Sequence, residues 1–67
     1  MLTHLRQGEV VSCRMRRHPY RVWTARFEME SGDTYDFFTF CRSKGEAVRW
    51  ADEVRLALGR IFPVEFS

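Results

Sequence analysis

Residues 20–40 read YRVWTARFEMESGDTYDFFTF, and this stretch decides the fold. Val22, Trp23, Thr24, Phe27, Tyr35, Phe37, Phe38, Thr39 and Phe40 are β-branched or aromatic, the side chains that suit a pleated, half-buried surface. Ser31-Gly32-Asp33 supplies turn chemistry between the two runs, so the stretch predicts a β-hairpin. In the first run, Tyr20 to Met29, the residues Trp23, Ala25, Phe27 and Met29 alternate with Val22, Thr24, Arg26 and Glu28, which makes the first set the core face. The second run, Thr34 to Cys41, is aromatic on both faces. Phe38 and Phe40 are assigned inward because they lead directly into a helix, and Tyr35 and Phe37 are left on the open face, where a phenol tolerates water. A slip of one residue inverts that assignment and makes Phe38 and Phe40 the contact residues.

Upstream of the hairpin, Glu9 to Met15 alternates with Val11, Cys13 and Met15 on one side and Ser12, Arg14 and Arg16 on the other, the period of a half-buried strand. Arg17-His18-Pro19 interrupts it, because proline donates nothing to a ladder. Residues 1–8 are short and mixed, offer only Leu2 and Leu5 for docking, and are expected to be partly ordered. Downstream, Ser43 and Glu46 have the spacing of a capping box and start a helix near Lys44. Ala47, Trp50, Ala51, Val54 and Leu58 share its apolar stripe, Arg49, Asp52, Glu53 and Arg60 take the far side, and Leu56 sits among those charges. Gly59 is the stop. Phe62, Val64 and Phe66 then alternate as a short strand that Pro63 restricts to an edge. The expected fold is one α+β domain over residues 1–67: a three- to four-stranded, antiparallel-rich sheet in the order β-β-β-α-β, with one helix packed on one face.

Composition bounds the function. A chain of 67 residues buries only about 60% of the surface its unfolded form exposes, so the core is small and has no room for a cofactor fold. No apolar run approaches the roughly 20 residues that span a bilayer, and no lipidation signature is present. Cys13 and Cys41, without an apolar leader, fit a reducing cytoplasm in which each fills core space, so a disulfide is not expected. Cys13, Cys41, His4 and His18 have no paired zinc-ligand spacing, and neither histidine has an adjacent nucleophile with an orienting partner. Neither a metal, a cofactor nor catalysis is expected. The formal charge of +2 is mild but unevenly spread: Arg6, Arg14, Arg16, Arg17, Arg21 and Arg26 face only Glu9 in residues 1–27, whereas Glu28, Glu30, Asp33 and Asp36 follow without a cation.

The order strand, strand, strand, helix, with Trp23 in the second strand, a turn at Gly32, aromatics ending the third strand and then Lys44-Gly45-Glu46-Ala47-Val48-Arg49-Trp50, resembles the arm-type DNA-binding domain of phage and transposon tyrosine integrases over about half the chain. In that family the sheet enters the DNA major groove with the helix behind it, so the resemblance implies that Arg14, Arg16, Thr24 and Arg26 face DNA. In its brevity and arginine content the chain also resembles accessory proteins of phages and mobile elements, anti-CRISPR inhibitors among them. The expectation is a binding module that takes nucleic acid on the open sheet face through Arg14, Arg16, Thr24, Arg26, Tyr35 and Phe37. The alternative is a protein inhibitor that docks on a host nucleic-acid-binding complex through the acidic hairpin residues Glu28, Glu30, Asp33 and Asp36 and through Leu56, with the open-face aromatics Tyr35 and Phe37 as hot spots. The open-face aromatics and Leu56 also leave room for a homodimer.

Overall fold

The computed structural model describes residues 2–67, apart from the side chains of Leu2 and His4. Its elements in chain order are α1 (Leu2–Arg6), β1 (Val10–Arg17), β2 (Trp23–Met29), β3 (Thr34–Phe38), α2 (Lys44–Leu58) and β4 (Val64–Phe66). The strands form a single sheet in the order β3-β2-β1-β4, antiparallel from β3 to β1, with β4 parallel to β1. This is the α+β arrangement read from the sequence. β4 lies at an edge, immediately after Pro63, whose carbonyl accepts from the Cys13 N–H at 3.0 Å.

Both antiparallel connections are three-residue loops. At the β2–β3 turn the Met29 N–H donates to the Asp33 carbonyl at 2.9 Å, and the Gly32 N–H donates to the Met29 carbonyl at 2.9 Å. Gly32 has φ 94°, the left-handed conformation that ends such a loop. At the β1–β2 turn the His18 N–H bonds to the Val22 carbonyl at 2.7 Å and the Arg21 N–H to the His18 carbonyl at 2.8 Å. Arg21 therefore occupies the place that Gly32 has in the other loop, with φ 66°.

The odd loop length corrects the expected register of the third strand. With three residues in the turn, odd-numbered positions of β2 face odd-numbered positions of β3, so Phe27 opposes Tyr35 and Ala25 opposes Phe37. Directly opposed residues in an antiparallel pair share a face. Tyr35 and Phe37 consequently pack, half-buried, against the core, and Phe38 and Phe40 are exposed. A second correction falls at Val11. A bulge between Val10 and Ser12 turns Val10 and Cys13 both inward and pushes Val11 out to half exposure, and hydropathy alone does not distinguish two adjacent valines.

The core centres on Phe27, which is fully buried, with the rings of Phe37, Trp50 and Phe62 at 5.6, 6.0 and 6.1 Å. Trp23, Ala25 and Met29 are buried beside it, as their alternation requires. Cys13 and Cys41 are free thiols buried as core filling. Burial pushes the Cys13 thiol up to about 12, against a weaker pull from the Arg55 charge. α2 covers this face with Ala47, Ala51 and Val54 buried and Trp50 and Leu58 packed against the cluster. The Ser43 hydroxyl accepts from the Glu46 N–H at 3.2 Å and donates to the Glu46 carboxylate at 3.4 Å. At the other end, Gly59 at φ 65° completes a Schellman turn, its N–H bonding to the Leu56 carbonyl and that of Arg60 to the Arg55 carbonyl.

The leading segment is more structured than expected. α1 is too short to be stable alone, but Leu5 is fully buried in the core and the Arg6 guanidinium donates to the Ala57 carbonyl at 3.3 Å. Met1 and the side chains of Leu2 and His4, the last a candidate zinc ligand in the sequence, lie outside the described residues. No helix among those residues is long and apolar enough to cross a membrane.

Candidate nucleic-acid interface

All the helical cover lies on the core side, so the other sheet face is open. Its side chains form cross-strand rows that the pairing fixes. Arg16, Thr24 and Phe38 make one row. Glu65, Arg14, Arg26 and Asp36 make the next, and Ser12, Glu28 and Thr34 the third. Four of the residues expected at the site, Arg14, Arg16, Thr24 and Arg26, are thus brought together, and with Asp36 and Phe38 they line a shallow depression. Phe37 also borders this depression although its ring packs on the core, whereas Tyr35 lies outside it, the register turning both side chains toward the core.

The middle row is electrically closed. Arg14 and Arg26 stand opposite each other, a repulsive pair that the carboxylates outside them relieve. Arg26 Nε donates to Asp36 Oδ1 at 2.7 Å and one of its terminal nitrogens to Oδ2 at 3.2 Å, a bidentate pair. That hydrogen bonding holds the Asp36 carboxyl below the usual carboxylate range and raises Arg26 further. Glu65 lies 3.7 Å from Arg14 on the other flank.

The two ends of the sheet differ in sign. At the acidic end, Glu28 accepts from the Ser12 hydroxyl at 3.3 Å, and Glu30 and Asp33 lie in the hairpin tip close to Glu9. At the other end the β1–β2 loop meets the segment that follows β3. Arg17, Tyr20, Arg21, Val22 and Arg42 line one cleft there, and the row of Arg16 and Phe38 adjoins it. Residues 16–24 and 38–43, which supply this end, contain no carboxylate side chain. None of Arg16, Arg17, Arg21 and Arg42 has an ion-pair partner among the described residues.

Rings are exposed among these cations. His18 stacks on Tyr20 with centroids 4.9 Å apart and meets the edge of Phe38 at 5.5 Å. The His18 Nδ1 accepts from the Tyr20 N–H at 3.2 Å, which fixes the stack. Tyr20 is 82% exposed and Phe38 57%. Phe40 is 81% exposed because the backbone extrudes it: the Thr39 N–H donates to the Trp23 carbonyl at 3.1 Å, the Trp23 N–H donates to the Cys41 carbonyl at 2.9 Å, and Thr39 and Cys41 both turn inward. The Thr39 hydroxyl ties this step down with a 2.8 Å bond to the Trp23 carbonyl.

Arg17, Tyr20, Arg21 and Arg42 are not among the residues expected at the site, and Phe38 and Phe40 are expected there only under the inverted register, which is the one found. A signal for them was present, since residues equally distant from Ser31 in this hairpin end up side by side, and both distal segments are basic and free of acids. The residues of the alternative site are not gathered. Glu28 and Asp36 lie on the open face and Glu30 and Asp33 in the tip, whereas Leu56 stands exposed on the outer side of α2 with Ile61. The chain matches no protein-family model, no curated protein and no solved structure.

Proposed function

We propose that this domain is a non-enzymatic binding module for nucleic acid, acting through the basic, aromatic end of its open sheet face. One observation carries the reading: the exposed rings of Tyr20 and Phe38, bridged by His18, lie among Arg16, Arg17, Arg21 and Arg42, none of which forms an ion pair among the described residues. Arginine forks pair with phosphate oxygens, and rings beside them offer surfaces for bases. Arg14 and Arg26 are already engaged by Glu65 and Asp36, which leaves Arg16, opposite Thr24 in the next row, as the unpaired arginine of the open face.

The test is a salt titration of binding to mixed-sequence DNA and RNA. Log affinity should fall linearly with log salt, and Arg16→Ala or Arg17→Ala should each reduce the slope by about 0.7 on single strands or about 0.9 on duplex DNA. Absence of binding at low salt would remove this reading. The second reading, a protein inhibitor of a host nucleic-acid-binding complex of the kind found among phage and mobile-element accessory proteins, is favoured by the opposite pole. There Glu30 and Asp33 lie beside Glu9, an arrangement suited to a basic protein surface.

A further inference from the structure

We infer that the ligand of this end is single-stranded nucleic acid, and that Arg21 and Phe40 are contact residues kept there in spite of their backbone conformation. The inference rests on the nucleic-acid reading above and narrows it to one class. Two independent observations carry it.

The first is the distribution of charge and rings on the open face. A duplex laid flat on the sheet would bring its phosphates against Glu28, Asp36 and Glu65, which sit in the second and third rows of the same face. Among the described residues of this face and its ends, the arginines without an ion pair, Arg16, Arg17, Arg21 and Arg42, gather at one end, beside exposed rings. A ring stacks on a base whose face is free, and in a duplex those faces are covered by neighbouring pairs. A single strand presents both groups that the cluster is built to take: phosphates for Arg16, Arg17, Arg21 and Arg42, and bases for Tyr20, Phe38 and Phe40.

The second observation is the backbone. Arg21 at φ 66° and Phe40 at φ 61° are the non-glycine residues with positive φ among those described. Both lie in this end of the molecule, and both are exposed, so neither is held by burial of its side chain. The equivalent loop position on the acidic side is Gly32, the residue that adopts this conformation without steric cost. A guanidinium and a phenyl ring at positions where glycine would fold more easily point to side chains retained for contact.

The experiment follows from that conflict between stability and contact. Binding is measured by fluorescence anisotropy at low salt with labelled oligothymidylate and oligouridylate of about 12 nucleotides and with a duplex of the same length. The single strands should bind at least about tenfold more tightly than the duplex, and Tyr20→Ala or Phe38→Ala should each weaken single-strand binding by about five- to 150-fold. Arg21→Gly and Phe40→Gly should raise the thermal midpoint by roughly 2–8 °C while weakening single-strand binding, an outcome that unfolding does not produce. Equal or tighter binding of the duplex, with the ring variants unaffected, would overturn the inference and leave the broader nucleic-acid reading in place. If neither form binds, both fall. If the glycine variants are no more stable and bind as well as the parent, the contact role of Arg21 and Phe40 is overturned.

Discussion

Phe37→Ala and Phe38→Ala, neighbours in β3, should have opposite consequences, and the difference follows from the three-residue turn. Phe37 packs half-buried on the core with its ring 5.6 Å from Phe27, edge to face. Removing a fully buried Phe costs about 3–5 kcal/mol, so a half-buried one should cost about 2 kcal/mol, part of it the aromatic pair. Domains of this size rarely hold more than roughly 3–5 kcal/mol in total, so the variant loses about half of its stability. With a urea slope of about 1 kcal/mol per molar, the midpoint should fall by about 2 M. Phe38 is more than half exposed on the open face, and its removal should change stability by less than about 0.5 kcal/mol. Trp23, buried in the core, and Trp50, packed against it, report the transition by fluorescence. A larger loss for Phe38→Ala than for Phe37→Ala would refute the register, and with it the composition of the open face.

Two further outcomes test the supporting structure. Ser43→Ala removes the oxygen that accepts from the Glu46 N–H and should destabilise by about 0.5–2 kcal/mol in denaturant; an unchanged midpoint would place the helix start elsewhere. The Cys13 thiol has its folded value raised from 9.0 to about 12, so the stability tied to its neutral form is complete below pH 9 and is lost as pH rises toward 12. Unfolding followed between those limits should show a fall in stability that Cys13→Ala, whatever its own offset, does not share. An equal fall in the variant would assign the effect to other groups.

Most of the fold was legible because its signals are local. The alternation through Trp23, Ala25, Phe27 and Met29, the Ser43 cap, the stripe from Ala47 to Leu58 and the Gly59 stop each depend on residues within a turn or two of one another. What escaped depends on a count. Whether Phe37 or Phe38 faces the core turns on whether the hairpin loop has two, three or four residues, and Glu30-Ser31-Gly32-Asp33 contains turn formers compatible with each. The bulge at Val11 escaped for a similar reason, because one extra residue in a ladder leaves no mark in hydropathy. Burial of Leu5 depends on α1 packing against α2, an element far along the chain.

The candidate site was half legible. The arginine-rich first half of the chain and the four open-face residues followed from alternation, but the ion pairs that occupy Arg14 and Arg26 did not, since Glu65 and Asp36 come from other strands. Those pairs, both exposed, contribute little to stability and much to where unpaired charge remains. The contact region is thereby displaced from the middle of the face to its end, where Arg21 and Arg42, about twenty residues apart in the chain, line one cleft.

The account rests on the polarity of the sheet, and the most direct test is a map of amide shifts in the nitrogen-labelled protein as a short single-stranded oligonucleotide is added at low salt. The predicted changes are confined to residues 16–23 and 38–42, with the amides of Glu28 to Asp33 unmoved. Changes centred on the acidic tip, or none anywhere at concentrations that saturate a basic control peptide, would contradict the claim that this end of the sheet binds nucleic acid.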